Sequence, residues 1–150
     1  MNPRILLVED NSSDEELTLR ALKKSNVANE VVVMRDGAAA LDYLFGRGAH
    51  AGRDVDDLPQ VVLLDLNLPK IGGLDVLRAI RGDERTKVLP VVILTSSKED
   101  RDLLEGYELG CNSYIVKPVD FAQFADAIRQ LGMYWLVLNQ GMPGPGSRRP

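Results

Sequence analysis

The chain has 150 residues, 45% of them hydrophobic and 27% charged, with a net charge of −4 and a pI near 5.0. That size fits one domain able to bury ~70% of its unfolded surface, and the acidic balance excludes a general binder of phosphate backbones. The lone Cys111 excludes an internal disulfide and a cysteine cluster for zinc or iron–sulfur. No apolar run approaches the ~20 residues of a membrane span, and Met1 to Arg4 lead straight into a strand, so no signal peptide is expected. The expectation is a soluble cytoplasmic protein in a reducing compartment.

Ile5-Leu6-Leu7-Val8 is an unbroken apolar run that ends in charge, Glu9-Asp10. Ser13-Asp14-Glu15-Glu16 reads as a capping box, with Ser13 as N-cap and Glu16 reaching back. The helix it opens carries Leu17, Ala21 and Leu22 inward and runs to about Ser25. Val31 to Met34 form a second strand, Asp36-Gly37 turns the chain, and a helix follows with Ala40, Leu41, Leu44 and Phe45. Residues 46–59 are rich in Gly and Asp and read as a flexible loop. Its glycines follow a helix instead of joining a strand to a helix, so they lack the context of a phosphate cradle. His50, the only histidine, reads as a solvated loop residue.

Val61 to Leu64 run without alternation, which suits a strand buried on both faces of a parallel sheet. The run ends on Asp65, followed by Asn67 and by Pro69, which has no N–H to continue a ladder. Ile71-Gly72-Gly73 turns, and Leu74, Leu77 and Ile80 stripe a helix ending near Gly82. Val91 to Leu94 make the fourth strand, ending in Thr95-Ser96. Ser97 and Asp100 then cap a helix carrying Leu103, Leu104 and Tyr107 and stopping at Gly110. Tyr114-Ile115-Val116 is the fifth strand, closed by Lys117-Pro118. Asp120 opens a last helix predicted to reach Leu138, with Phe121, Phe124, Ala125, Ile128, Leu131 and Trp135 as its inward stripe. The domain is expected to span 1–139, with 140–150, rich in Gly and Pro, as a disordered tail.

Five strands alternating with five helical stretches predict an α/β, flavodoxin-like, three-layer (βα)5 parallel sheet of strand order 2-1-3-4-5. In such a sheet every strand's carboxyl end lies on one edge. Glu9 and Asp10, Asp65, Thr95 and Lys117 should therefore converge. Each alone has a plainer reading, as a helix cap, a turn residue or a surface ion pair. Together they form a chemical kit. Three close carboxylates raise one another's pKa unless a cation intervenes, and a hard divalent ion with oxygen ligands is the natural remedy. An aspartate can form an acyl phosphate, whose charge a metal, a lysine and a hydroxyl would stabilise. The carboxylate is already ionised at neutral pH, so no general base is needed.

Glu9-Asp10, Asp65, Thr95-Ser96 and Lys117-Pro118, with Pro69 and Gly73 in the turn after the central strand, resemble the signature of response-regulator receiver domains. The resemblance covers residues from about Arg4 to Leu138. It implies that Asp65 accepts a phosphoryl group from a phosphohistidine on a sensor histidine kinase. It implies Mg²⁺ bound by Asp10, Asp65 and the carbonyl of Asn67, with Glu9 helping through water. Thr95 would hydrogen-bond the phosphoryl group, Lys117 would pair with it, and Lys117-Pro118 would be cis. Tyr114 matches the family's switch aromatic. The long 46–59 loop and the ending Tyr134 to Asn139 look like phytochrome-associated single-domain regulators, which suggests a bacterial phytochrome as the kinase.

No output domain is expected after the last helix, and Arg148 and Arg149 are too few for a nucleic-acid footprint. The signal should leave by protein contact. Met133 to Leu138 are apolar almost all round, which suggests a homodimer through the fourth helix, fifth strand and fifth helix. Three other functions fit the residues less well. A haloacid-dehalogenase-type phosphatase wants an acid where Asn67 stands. A flavin carrier wants phosphate-cradling residues where Glu9-Asp10 stand. A structural scaffold leaves the convergent acids unexplained.

Overall fold

The unbroken apolar runs all become strands of one sheet in the computed structural model, which describes residues 4–24, 29–69, 71–96 and 105–132. The strands are β1 (Arg4–Val8), β2 (Glu30–Met34), β3 (Val61–Asp65), β4 (Val91–Thr95) and β5 (Ser113–Val116). All pair in parallel, in the order β2-β1-β3-β4-β5. This is the predicted flavodoxin-like topology. β3 and β4 are buried along their whole length, whereas the edge strand β2 is only half-buried. That gradient is why the central runs carry no polar alternation.

The helices are α1 (Ser12–Lys24), α2 (Gly37–Phe45), α3 (Gly73–Arg81), a described stretch at 105–108 (α4) and α5 (Phe121–Gln130). The two-residue period of the strands divides the core in two. Leu6, Val8, Val62, Leu64, Val91 and Ile93 pack with Ala40, Leu44, Val76, Leu77 and Ile80 of α2 and α3. Ile5, Leu7, Leu63, Val92, Leu94 and Ile115 pack with Ala21 and Leu22 of α1 and with Phe124, Ala127 and Ile128 of α5. Fully buried side chains of this size contribute about 2 kcal/mol each.

Local details depart from the sequence reading. The N-cap of α1 is Asn11 and not Ser13: Asn11 Oδ1 accepts from the Asp14 amide at 2.9 Å, while Glu16 pairs with Arg20. With the start shifted, the buried residues of α1 are Thr18, Ala21 and Leu22, and Leu17 is exposed. Phe121 is likewise exposed and Ala127 takes the buried place in α5, because Asp120 caps that helix and turns its first residue outward. The continuous helix ends at Gln130, and Gly132 has φ +74°, a left-handed conformation that interrupts it short of Leu138. The readings of Ser25, of Ser97, Asp100, Leu103 and Leu104, of Trp135 within the apolar end, and of the 140–150 tail lie outside the described residues.

The 46–59 loop is tied down. Arg53 donates to the carbonyls of Tyr43 (2.6 Å), Leu44 (3.1 Å) and Asp57 (2.8 Å), and its guanidinium lies 4.4 Å from the Tyr43 ring centre. His50 is half-buried with its ring edge-on to Tyr43 at 5.2 Å. Arg53 thus adds to the turn hydrogen bonds within the loop and to the Arg4–Asp57 ion pair at 2.8 Å.

Candidate functional site

Each functional side chain is delivered by the end of a strand. Glu9 follows β1, and its amide still donates to Met34 O at 3.0 Å, extending the ladder. Asp65 is the last residue of β3 and Thr95 the last of β4. Lys117 follows β5, its amide donating to Thr95 O at 2.7 Å, and the Lys117–Pro118 peptide is cis. Strand parity then sorts the side chains. Glu9, Asp65 and Lys117 each lie two residues beyond a core residue of the α1/α5 face, namely Leu7, Leu63 and Ile115. Thr95 lies two beyond Ile93, on the opposite parity.

The predicted cluster forms. One carboxylate oxygen from each of Glu9, Asp10 and Asp65 lies within 4.8 Å of the others. Glu9 and Asp65 are buried and Asp10 is exposed, so the triad opens to solvent on one side. Lys117 Nζ stands 2.9 Å from Glu9 Oε1 and 3.2 Å from Asp65 Oδ2. Thr95 is buried at the same edge. The Asn67 amide donates to Asp65 Oδ1 at 3.1 Å, which points that carboxylate back towards its own turn. Gly73 makes this turn possible: a Cβ there would collide with the Asp65 carbonyl oxygen and approach Leu66 Cα to 2.7 Å. Tyr114 does not join the cluster. It is half-buried on β5, edge-on to Tyr107 at a ring distance of 6.2 Å.

The sequence reading missed Asp14. Its Oδ2 accepts a hydrogen bond from Lys117 Nζ at 3.0 Å, across 103 residues of chain. The signal was present in the helix start. A cap at Asn11 places Asp14 in the first turn of α1, on the helix that covers the Lys117 side of the sheet.

The electrostatics follow from burial. Loss of solvent pushes the Glu9 carboxyl up to about 7; Lys117 opposes the shift and Asp65 adds to it. Burial acts to lower the Lys117 ammonium, but its contacts with Glu9 and Asp14 and the charge of Asp65 outweigh it, and its pKa is raised. Glu9 Oε1 is fully buried and meets the Lys117 ammonium at 2.9 Å as an ion pair, without a hydrogen bond of good geometry. A buried carboxyl oxygen without a well-formed hydrogen bond, grouped with the Asp10 and Asp65 carboxylates, fits the surroundings of a hard divalent cation. The donor set is all oxygen and offers nothing to a soft metal.

A model of the response regulator receiver domain family matches residues 5–129. The solved structure of the bacteriophytochrome response regulator AtBRR is 54% identical, covers 90% of this chain and 96% of its own, and superposes with a TM-score of 0.82. FilR2 of Methanothrix harundinacea (strain 6Ac), described as a probable methanogenesis regulatory protein, is 43% identical over 94% of this chain and 88% of its own. Response regulator Rcp1 of Synechocystis is 36% identical over 88% of each chain. Its Mn²⁺-bound crystal form covers 89% of this chain and 94% of its own, with a TM-score of 0.73.

Proposed function

Because the chain belongs to the response regulator receiver domain family and is a two-component response regulator, we propose that Asp65 is its phosphoacceptor. The Asp65 carboxylate attacks the phosphorus of a phosphohistidine on a sensor histidine kinase. A P–O bond forms, the P–N bond breaks, and the imidazole leaves with that electron pair. The observation that carries this reading is one buried ammonium held 2.9 Å from Glu9 and 3.2 Å from Asp65, beside the acid triad. Asp10, Asp65 and the Asn67 carbonyl would hold Mg²⁺, with Glu9 acting through water. When bound, the ion supplies positive charge to the transferring phosphoryl oxygens. Lys117 pairs with one phosphoryl oxygen and Thr95 donates its hydroxyl to another.

The switch reading follows from the same edge. Thr95 moves towards the phosphoryl group and Tyr114 turns inward, which reshapes the surface formed by α4, β5 and α5. There Tyr107, Tyr114, Gln123 and Asp126 help line a groove of about 250 Å³. This surface is the proposed homodimer interface, and the similarity to AtBRR favours a bacterial phytochrome as the kinase. The receiver is proposed to span 1–139 in the cytoplasm, with 140–150 as a tail and with neither nucleic acid nor membrane as partner. Among the described residues, no helix is long and apolar enough to cross a membrane. A haloacid-dehalogenase-type phosphatase is not favoured, because the carboxamide of Asn67 cannot serve as a general acid.

Incubation with Mg²⁺ and acetyl phosphate, followed by intact mass, tests the assignment. Wild type should gain one phosphoryl group and Asp65→Asn none. Gain by the variant equal to wild type would reject Asp65. Sedimentation showing only monomer at high concentration, with and without phosphorylation, would reject the dimer.

A further inference from the structure

Asp14 has no part in the chemistry above, yet it makes the best-formed contact in the site. Lys117 Nζ donates to Asp14 Oδ2 at 3.0 Å with hydrogen-bond geometry, whereas the Glu9 oxygen 2.9 Å away is left without a hydrogen-bond partner. Asp14 lies outside the triad of candidate metal ligands. It sits in the first turn of α1, where the amide ends of the helix favour a carboxylate. We propose that Asp14 is a positioning residue that retains the Lys117 ammonium when a divalent cation draws Asp65 directly, and Glu9 through water, away from it.

The metal ion would compete with the Lys117 ammonium for the Asp65 oxygens and, through its bound water, for Glu9. The Lys117 side chain is only 11% exposed, so loss of Glu9 and Asp65 to a cation would strand it as a buried unpaired charge. Lysine has three donors, and Asp14 engages one of them from outside the triad. Asp14 therefore lowers the cost of loading the metal without touching it. This inference rests on the proposed divalent-cation site and adds a residue from a different element to it.

Calorimetric titration of Mg²⁺ into the full chain tests this at fixed pH and without any phosphodonor. The set is wild type, Asp14→Asn, Lys117→Met and the double variant, with Lys117→Gln in place of Met should that variant not fold. In the wild-type background Asp14→Asn is expected to raise the Kd about fivefold, the worth of a charged hydrogen bond discounted for partial exposure. In the Lys117→Met background the same substitution should change the Kd by less than about twofold, because there is no ammonium left to retain. Equal weakening in both backgrounds would mean that Asp14 acts only as a nearby negative charge, and would overturn the proposal. An unchanged Kd in Asp14→Asn would overturn it while leaving the Asp65 reading intact. A wild-type chain that binds no divalent cation would overturn both this and the metal site.

Discussion

Arg81 and Lys117, at opposite edges of the sheet, are held in opposite ways. At the amino-terminal edge, Arg81 donates to Gly110 O (3.0 and 2.7 Å), Leu89 O (2.8 Å) and Asn112 Oδ1 (3.0 Å). Arg53 does the same with the carbonyls of Tyr43 and Leu44 at the end of α2 and of Asp57 in the 46–59 loop. Burial lowers the pKa of Arg81, against a smaller opposing influence from Cys111. At the carboxyl-terminal edge, Lys117 faces Glu9, Asp14 and Asp65. Main-chain carbonyls are neutral and fixed by the fold, so a guanidinium held by them has no alternative partner. Carboxylates can instead accept a metal or, at Asp65, a phosphoryl group. Between Arg81 and Lys117, permanence and exchange are thus separated by acceptor type, while Arg4 at the amino-terminal edge is a mixed case that donates to both the carboxylate (2.8 Å) and the carbonyl of Asp57.

The difference can be broken from either side. The largest effect is expected from Arg81→Ala, which leaves the Leu89 and Gly110 carbonyls without their donors. It should cost about 3 kcal/mol in urea unfolding, and Mg²⁺ should restore none of it. Lys117→Met should cost less, about 2 kcal/mol, because the buried acids can take up a proton once their partner is gone. Here saturating Mg²⁺ should recover most of the loss, since the ion replaces the ammonium. Equal behaviour of the two variants towards Mg²⁺ would erase the distinction between the edges.

A smaller effect sharpens the comparison through pH. The folded-state pKa of Glu9 is raised to about 7, above its ordinary value, so the native state binds this proton more tightly than the unfolded chain does. Its contribution to stability is therefore present at low pH and lost as pH rises through 7. Without metal, stability should fall by about 1 kcal/mol between pH 6 and 8. Urea midpoints should show that slope in wild type, and Glu9→Gln or saturating Mg²⁺ should flatten it. A slope that survives Glu9→Gln would assign the titration to another group.

Much of this edge was legible before any coordinates. Central strands buried on both faces must be apolar without interruption, so Ile5–Val8 and Val61–Leu64 announced themselves, and the charges that end them stood out. Parallel topology did the rest, bringing Glu9, Asp65 and Lys117 to one place. The N-terminus of α1 was not legible, because Ser13 with Glu16 fits a capping box by residue type while Asn11 wins by reach. The inward face of α5 was misplaced at Phe121 for a related reason, since the angle at which a capped helix leaves its turn decides which aromatic is covered.

Arg53 and Arg81 could not be found from the sequence, because their partners are carbonyl oxygens, which every residue carries. Asp14 was hidden differently: its partner lies 103 positions away, and only the packing of α1 over β5's side of the sheet joins them. The sequence alone determined the strand order, the acidic edge and the candidate phosphoacceptor, since those depend on residue type and period. Tertiary structure decided which cation is locked and which can exchange, since that depends on whether fixed carbonyls or competing carboxylates surround it.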